Sequence, residues 1–453
     1  LHHQNVYSWT SLICGHIQFE QIQHVFPIYE KMQEYGVHPC SHTFVALLKT
    51  CTILKDVKKG KRVHIESAQN GFRNDVFVNT ALIHMYFNFF SPSEAQQVFN
   101  DMIIHDVVSW NALISGYGQH ELGHEALKCF NQMQDEGMHP DAVTYICILK
   151  VCGNKGFIEV GEDIHAKIKR QGFLRKDIVL GTSLVNMYAK CRMMGKAHQV
   201  FEELPVRNVV TWNALITGYA QHGLSNEALK CFKQMQTDGF SPDAVIYICI
   251  LKVCAFLGSL EIGEDIDVEI RKQGLLEKDA VLGATLIDMY AKCGALHKAR
   301  EVFDQLPTQN LAAWTALIAG YARNRLGDEA LQCFKQMKDK GVMPDVVTYI
   351  CVLKVCAIVG SLSIGEDIFV DVRNMELFQN DVMLGNTLVG MYAKCGALNK
   401  AQEVFEQLPV QDIVSWNALI AGYGQLGQAN IALNLFVKMR TKGIIPDWVT
   451  VLV

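Results

Sequence analysis

The chain has 453 residues, half of them hydrophobic, 19% charged and only 10 prolines. That composition excludes a disordered or collagen-like chain, and no apolar run reaches the roughly 18 residues that a membrane-spanning helix needs. With 41 Lys plus Arg against 46 Asp plus Glu, the net charge is −5. A globally basic nucleic-acid binder is thereby excluded, while a local basic groove stays open.

In chain order, the elements follow an internal repeat. Residues 1–5 align with Leu204–Asn208 and read as the tail of a preceding motif. Residues 6–106 form a divergent triplet, Val6–Cys40, Ser41–Asp75 and Val76–Asp106. Residues 107–208 divide into Val107–Asp141, Ala142–Asp177 and Ile178–Asn208. The third triplet, 209–310, divides at Asp243 and Asp279, and the fourth, 311–412, at Asp345 and Asp381. A single motif, 413–447, and the first six residues of another, 448–453, complete the chain. The starts at Val107, Val209, Leu311 and Ile413 lie 102 residues apart, and motif lengths alternate 35, 36 and 31. The expectation is one elongated array, truncated at both ends.

Within a motif the apolar spacing is helical. Trp212, Leu215, Ile216 and Tyr219 fall at i, i+3, i+4 and i+7 and predict a first helix. Gly223 breaks the pattern, Ala228, Phe232 and Met235 resume it, and Gly239 and Pro242 end it. Such a hairpin cannot bury its own apolar face, so stacked copies share a core. Trp9, Trp110, Trp212, Trp314 and Trp416 each open the apolar stripe. They are expected in the core and not as a stacking platform.

The phrases WNALI-x-GY, LK-x-C and MYAKC, set in motifs of 35, 36 and 31 residues, closely resemble pentatricopeptide-repeat proteins. The triplet alternation resembles their subclass with P, L and S motifs, typical of plant-type organellar RNA-editing specificity factors. The resemblance covers essentially the whole chain. It implies an all-α, right-handed α-solenoid superhelix that takes single-stranded RNA as its partner in a mitochondrion or chloroplast. A cytidine-deaminase-domain protein or another editing cofactor acting in trans is a further implied partner. No enzymatic activity, catalytic residue, metal, cofactor, membrane or small-molecule substrate is expected for these repeats. Transcript stabilisation, splicing or translation are alternative RNA roles. A protein-binding tetratricopeptide-like scaffold would keep a uniform 34-residue period.

In this family one base is read per repeat by two or three side chains. The resemblance assigns reading to the fifth and last residues of a motif, and packing against the base to the apolar second residue. The second residues are Val108, Val179, Val210, Val281, Ala312, Met383 and Val414, with Val143, Val245 and Val347 in the middle motifs. Among the pairs, Thr80 with Asp106 and Thr315 with Asp345 resemble guanine readers. Thr182 with Asn208 resembles an adenine reader. Asn111 with Asp141, Asn213 with Asp243, Asn386 with Asp412, and Asn417 with Asp447 resemble uracil readers, with cytosine the weaker option. Middle motifs carry Val45, Ile146, Ile248 or Ile350 at position five and stay unread; Ala284 and the Thr10–Cys40 pair also depart from the pattern. The implied site is 5′-N-N-G-U-N-A-U-N-N-G-N-U-U-3′.

Several features carry a competing structural reading. A terminal Asp also caps the helix that follows it, but position five alternates among Asn, Thr and Ala at a surface that is otherwise repetitive. Lys190, Lys292, Lys394 and Arg323 recur near helix ends and form a candidate phosphate ladder. The pairs Glu162–Asp163, Glu264–Asp265 and Glu366–Asp367 repeat once per triplet and are expected on an outer solvated face. The 15 cysteines, including the Cys147 and Cys152 positions and their repeats, are expected as core thiols in a reducing compartment. The His64-Ile65-Glu66 triplet matches half of a zinc-deaminase signature by chance, since no Pro-Cys-x-x-Cys follows it.

Overall fold

The computed structural model describes residues 5–175, 177–375 and 381–452. The proposed tail at 1–5 therefore lies outside the described residues except for Asn5. Regular structure among the described residues is helical throughout. The chain forms two compact units, Leu1–Glu227 and Ala228–Val453, and each is a stack of helical hairpins.

In the first unit the leading helices of successive hairpins are Val6–Gln18, Ser41–Leu54, Val76–Asn88, Val107–Gln119, Ala142–Lys155, Ile178–Lys190 and Val209–Gln221. Each packs on the next. The second unit repeats this with Ala244–Leu257, Ala280–Lys292, Leu311–Arg323, Val346–Val359, Val382–Lys394, Ile413–Gln425 and Trp448–Leu452. A trailing helix such as Gly123–Asp135 packs on its own leading helix and on the following one, Ala142–Lys155. Leading helices thus form one layer and trailing helices the other. This is the α-solenoid arrangement that unsatisfied hairpin faces demand.

The recurring phrases are packing instructions. Trp110, Trp212, Trp314 and Trp416 are buried. Each meets a phenylalanine edge-on from the trailing helix before it: Phe99, Phe201 and Phe303 at 4.5 Å and Phe405 at 4.7 Å between ring centres. Such tilted pairs add to simple burial. The glycine of the GY dipeptide lets leading helices touch. A Cβ built on Gly218, Gly320 or Gly422 would lie 2.8, 2.6 or 2.7 Å from the β-carbon of Ala189, Ala291 or Ala393, the alanine of the preceding MYAK. Gly422→Val should therefore cost about 1–3 kcal/mol by overpacking. A lowered midpoint in urea, read by circular dichroism, checks this, and an unchanged midpoint contradicts it.

The outer layer carries the carboxylate pairs. Glu264 bonds Lys298 of the next trailing helix at 2.7 Å, and Glu162 and Glu366 pair likewise with Lys196 and Lys400. The solvated face expected from the sequence is thus laced by ion pairs between neighbouring hairpins. Cys152, Cys254 and Cys356 are core thiols, and burial pushes each up to about 12. Cys147 and Cys351 are only half-buried.

Candidate nucleic-acid interface

The first residues of the leading helices dictate the site. The Asp or Asn that ends a motif caps the next leading helix through its side chain, from an extended backbone at Asp106, Asp141, Asn208, Asp345 and Asp412. Asp106 accepts from the Ser109 N–H at 2.7 Å, Asp141 from Thr144 at 2.8 Å, Asn208 from Thr211 at 2.9 Å and Asp345 from Thr348 at 2.8 Å. Asp243, Asp412 and Asp447 cap in the same way, at 3.0, 2.9 and 2.8 Å.

Two residues further on, the side chain turns outward. Val108, Val179, Val210, Val281, Met383 and Val414 are 55–64% exposed, and Ala312 is exposed too. An exposed valine at the same place in hairpin after hairpin gains nothing from folding. It is an apolar ladder available to a flat ring.

Position five lies deeper than the sequence suggested. Asn111, Thr182, Asn386 and Asn417 are only 6–9% exposed, because the next leading helix packs across them. The surface expected there is corrected to a nearly buried seam whose polar ends reach a cleft. Within that seam the Asn pairs close on their partners. Asn111 Nδ2 donates to Asp141 Oδ1 at 3.1 Å, and Asn417 Nδ2 to Asp447 Oδ1 at 3.1 Å. Asn386 Nδ2 lies 3.0 and 2.9 Å from the two oxygens of Asp412.

The Thr pairs differ. Thr315 reaches Asp345 through Thr348, whose hydroxyl lies 2.7 Å from both. No hydrogen bond joins Thr182 to Asn208 or Thr80 to Asp106 among the described residues. The Thr182 hydroxyl donates to the Ile178 carbonyl at 2.8 Å, and the buried Thr80 hydroxyl has no partner there. Asn213 is half-buried in one unit and Asp243 lies in the other.

Hydrogen bonding fixes the charge of the capping carboxylates. Partial burial pushes the Asp141 carboxyl up, but bonds from the Thr144 N–H and the Asn111 amide outweigh it and hold it below the usual range. The Thr450 N–H, and then the Asn417 amide, hold Asp447 low against desolvation. A depressed folded-state pKa contributes stability above the unfolded value and loses it as pH falls through the folded one. Both groups are therefore acceptor-only carboxylates at neutral pH.

A cleft of about 870 Å³ in the second unit gathers these parts. Met383, Asn386, Asp412 and Val414 line it, which are the second, fifth and last residues of one motif and the second of the next. Lys354 and Lys394 also line it.

The matches to known proteins follow this geometry. The profile described as "PPR repeat family" matches residues 105–154, 207–255, 309–358 and 411–453. "Pentatricopeptide repeat domain" matches 3–52, and "PPR repeat" matches 182–209, 285–311 and 386–413. The chain is 32% identical to the chloroplastic pentatricopeptide repeat-containing protein At4g18520 of Arabidopsis thaliana, over 97% of this chain and 71% of that protein. The chain belongs to the pentatricopeptide-repeat family. Its identity to the mitochondrial relative At1g06140 of Arabidopsis thaliana is 31%, over 92% of this chain and 75% of the relative. Against the chloroplastic At1g15510 of the same plant it is 32% identical, but spans only 51% of that protein. Among solved structures, the pentatricopeptide repeat protein PPR10 from maize aligns over 99% of this chain and 75% of its own, with TM-score 0.56 and 20% identity. PPR10 in complex with an 18-nt psaJ RNA element aligns over 99% and 76%, with TM-score 0.53 and 20% identity. Both share the fold.

The repeats place the candidate cations unevenly. Lys394 sits in the cleft, and Lys190 donates to Asn154 at 2.7 Å. Lys292 and Arg323 converge on Asp288, at 2.6 and 3.7 Å. Sequence reasoning missed a second set. Lys150, Lys252 and Lys354 stand at the ninth position of the middle repeats, all exposed. Position nine is one turn past the unread position five, on the same helix face. The signal was present in the LK-x-C phrase at 102-residue spacing.

Proposed function

We propose that this chain binds single-stranded RNA by sequence, one nucleotide per motif, within motifs of 35, 36 and 31 residues. It is the specificity tract of an organellar C-to-U editing factor, with P, L and S motifs in triplets. The observation that carries this reading is the cleft where Met383, Asn386, Asp412 and Val414 meet. It offers two apolar flanks for a ring, a donor and acceptor for its edge, and Lys354 and Lys394 for the backbone. Leading helices that start at Val107, Ala142, Ile178, Leu311, Val346, Val382 and Ile413 support the motif boundaries. The RNA-bound state of maize PPR10 supports the partner, and relatives named chloroplastic and mitochondrial support an organelle. The alternation of 35, 36 and 31 residues supports the editing subclass. Deamination then belongs to another domain or to a protein acting in trans.

The direct test is titration of the chain with 5′-N-N-G-U-N-A-U-N-N-G-N-U-U-3′ and with a permuted RNA of the same composition. Discrimination of roughly 1–3 kcal/mol per read base predicts at least a hundredfold tighter binding of the ordered site. Equal affinities would sink the reading.

The lysines have a separate signature. Lys354→Ala with Lys394→Ala should reduce the slope of log affinity against log salt by about 1.4, or 0.7 per phosphate on a single strand. Base preference should stay as it was. A slope that does not move removes both residues from the backbone track.

A further inference from the structure

The fifth and last residues are not alone in the seam. Behind most of the assigned pairs the third residue of the following motif is Thr or Ser, and behind Asn213 it is Ile246. Behind Asn111 it is Thr144, whose Oγ1 lies 2.7 Å from Asn111 Oδ1 and 2.9 Å from Asp141 Oδ1. Behind Asn417 it is Thr450, with Oγ1 2.7 Å from Asn417 Oδ1 and 2.8 Å from Asp447 Oδ1. Both threonines are buried. A hydroxyl has one proton; in each case the nearer acceptor, the amide oxygen, takes it, and one amide hydrogen goes to the carboxylate. Turning the amide over would break both bonds and set the amide oxygen against the carboxylate.

The Asn386 motif is the internal contrast. The third residue of the motif behind it is Ser415, whose hydroxyl donates to the Asp412 backbone carbonyl at 2.8 Å instead of to the amide. Asn386 Oδ1 is buried without a partner among the described residues. Ser109 turns the same way, donating to the Asp106 carbonyl at 2.9 Å. Threonine has a branched β-carbon that restricts its χ1, whereas serine is free to turn to the backbone.

We infer that Thr144 and Thr450 are positioning residues: each fixes the amide of the preceding reader and so sharpens its choice of uracil over cytosine. An amide held with its N–H₂ end available matches the O4 carbonyl of uracil. Cytosine carries an amino donor at the same place, and accepting it requires the amide turned over. An amide held at both ends therefore rejects cytosine, and Asn386, held by Asp412 at its nitrogen alone, tolerates it better. The inference rests on the base-reading proposed above.

The experiment measures the ratio of cytosine to uracil dissociation constants at single nucleotides, using the whole chain and the 13-nucleotide site. In the unaltered chain the ratio should be larger at nucleotides 4 and 13 than at nucleotide 12. Thr144→Val should lower it at nucleotide 4 by roughly five- to tenfold, the scale of one lost bond to a base reader, and leave nucleotides 12 and 13 as they were. Thr144→Ser keeps a hydroxyl for the helix cap, as Ser109 does, so it should retain the unfolding midpoint and still lose discrimination. A merely structural role would give the opposite pattern. Ser415→Thr should supply the missing donor to Asn386 and raise the ratio at nucleotide 12. Unchanged ratios in Thr144→Val and Ser415→Thr, with uracil still preferred at nucleotide 4, overturn the positioning role alone. An unaltered chain indifferent to the base at nucleotides 4 and 13 overturns base-reading, and this inference with it.

Discussion

Asp345→Asn should convert the tenth motif from a guanine reader to an adenine reader. The Asp345 carboxylate caps the helix that starts at Val346, and it lies 2.7 Å from the Thr348 hydroxyl, which in turn lies 2.7 Å from Thr315. A carboxylate only accepts, so it suits the N–H donors on the Watson–Crick edge of guanine. Adenine presents a ring acceptor there and needs a donor. Asparagine is isosteric, supplies that donor and caps a helix as well as aspartate does. The fold should therefore be kept while the edge is inverted. Each wrong base costs about 1–3 kcal/mol, so the guanine-to-adenine preference should swing by roughly two to four orders of magnitude when gain and loss combine. Competition between RNAs differing only at nucleotide 10 measures it. A variant whose guanine-to-adenine preference is unchanged would show that Asp345 acts only as a cap.

Trp110→Ala should destabilise its hairpin by about 3–5 kcal/mol, the range for truncating a large buried aromatic side chain. Trp110 is fully buried and meets Phe99 edge-on, with His105 5.7 Å away. Its loss opens a cavity between the trailing helix Pro92–Asn100 and the leading helix Val107–Gln119. In a repeat array each hairpin is supported only by its neighbours, so the damage should be local. Hydrogen exchange should accelerate in those two helices first, and RNA discrimination should be lost around nucleotides 3 to 5 before the rest. Uniform exchange along the chain would contradict nearest-neighbour stacking. A tryptophan that served as a stacking platform would instead cost affinity without stability.

The layers of the fold were legible because each hairpin repeats a short physical instruction. Trp at the start of the stripe, Gly where helices touch and a capping Asp at the boundary are each visible in the phrases themselves. The depth of position five was not. Asn111 and Asn417 look like surface residues within a single hairpin, and only the crossing of the next leading helix buries them. The role of Thr144 was hidden for a related reason. It lies 33 residues after Asn111 and belongs to a different motif, so no local period connects the two. Lys292 and Arg323 recur in the sequence as rungs of a candidate phosphate ladder, and the fold adds that Asp288, on the same helix as Lys292, pairs with both. Which lysines stay available depends on neighbours that spacing alone does not reveal.

The most direct measurement is selection of this chain against a randomised pool of single-stranded RNA, followed by sequencing of the bound fraction. The account predicts enrichment of G-U-N-A-U-N-N-G-N-U-U in that order, with cytosine intruding more at nucleotide 12 than at nucleotides 4 and 13. Tight binding without an enriched sequence, or enrichment out of register with the motifs, would contradict it.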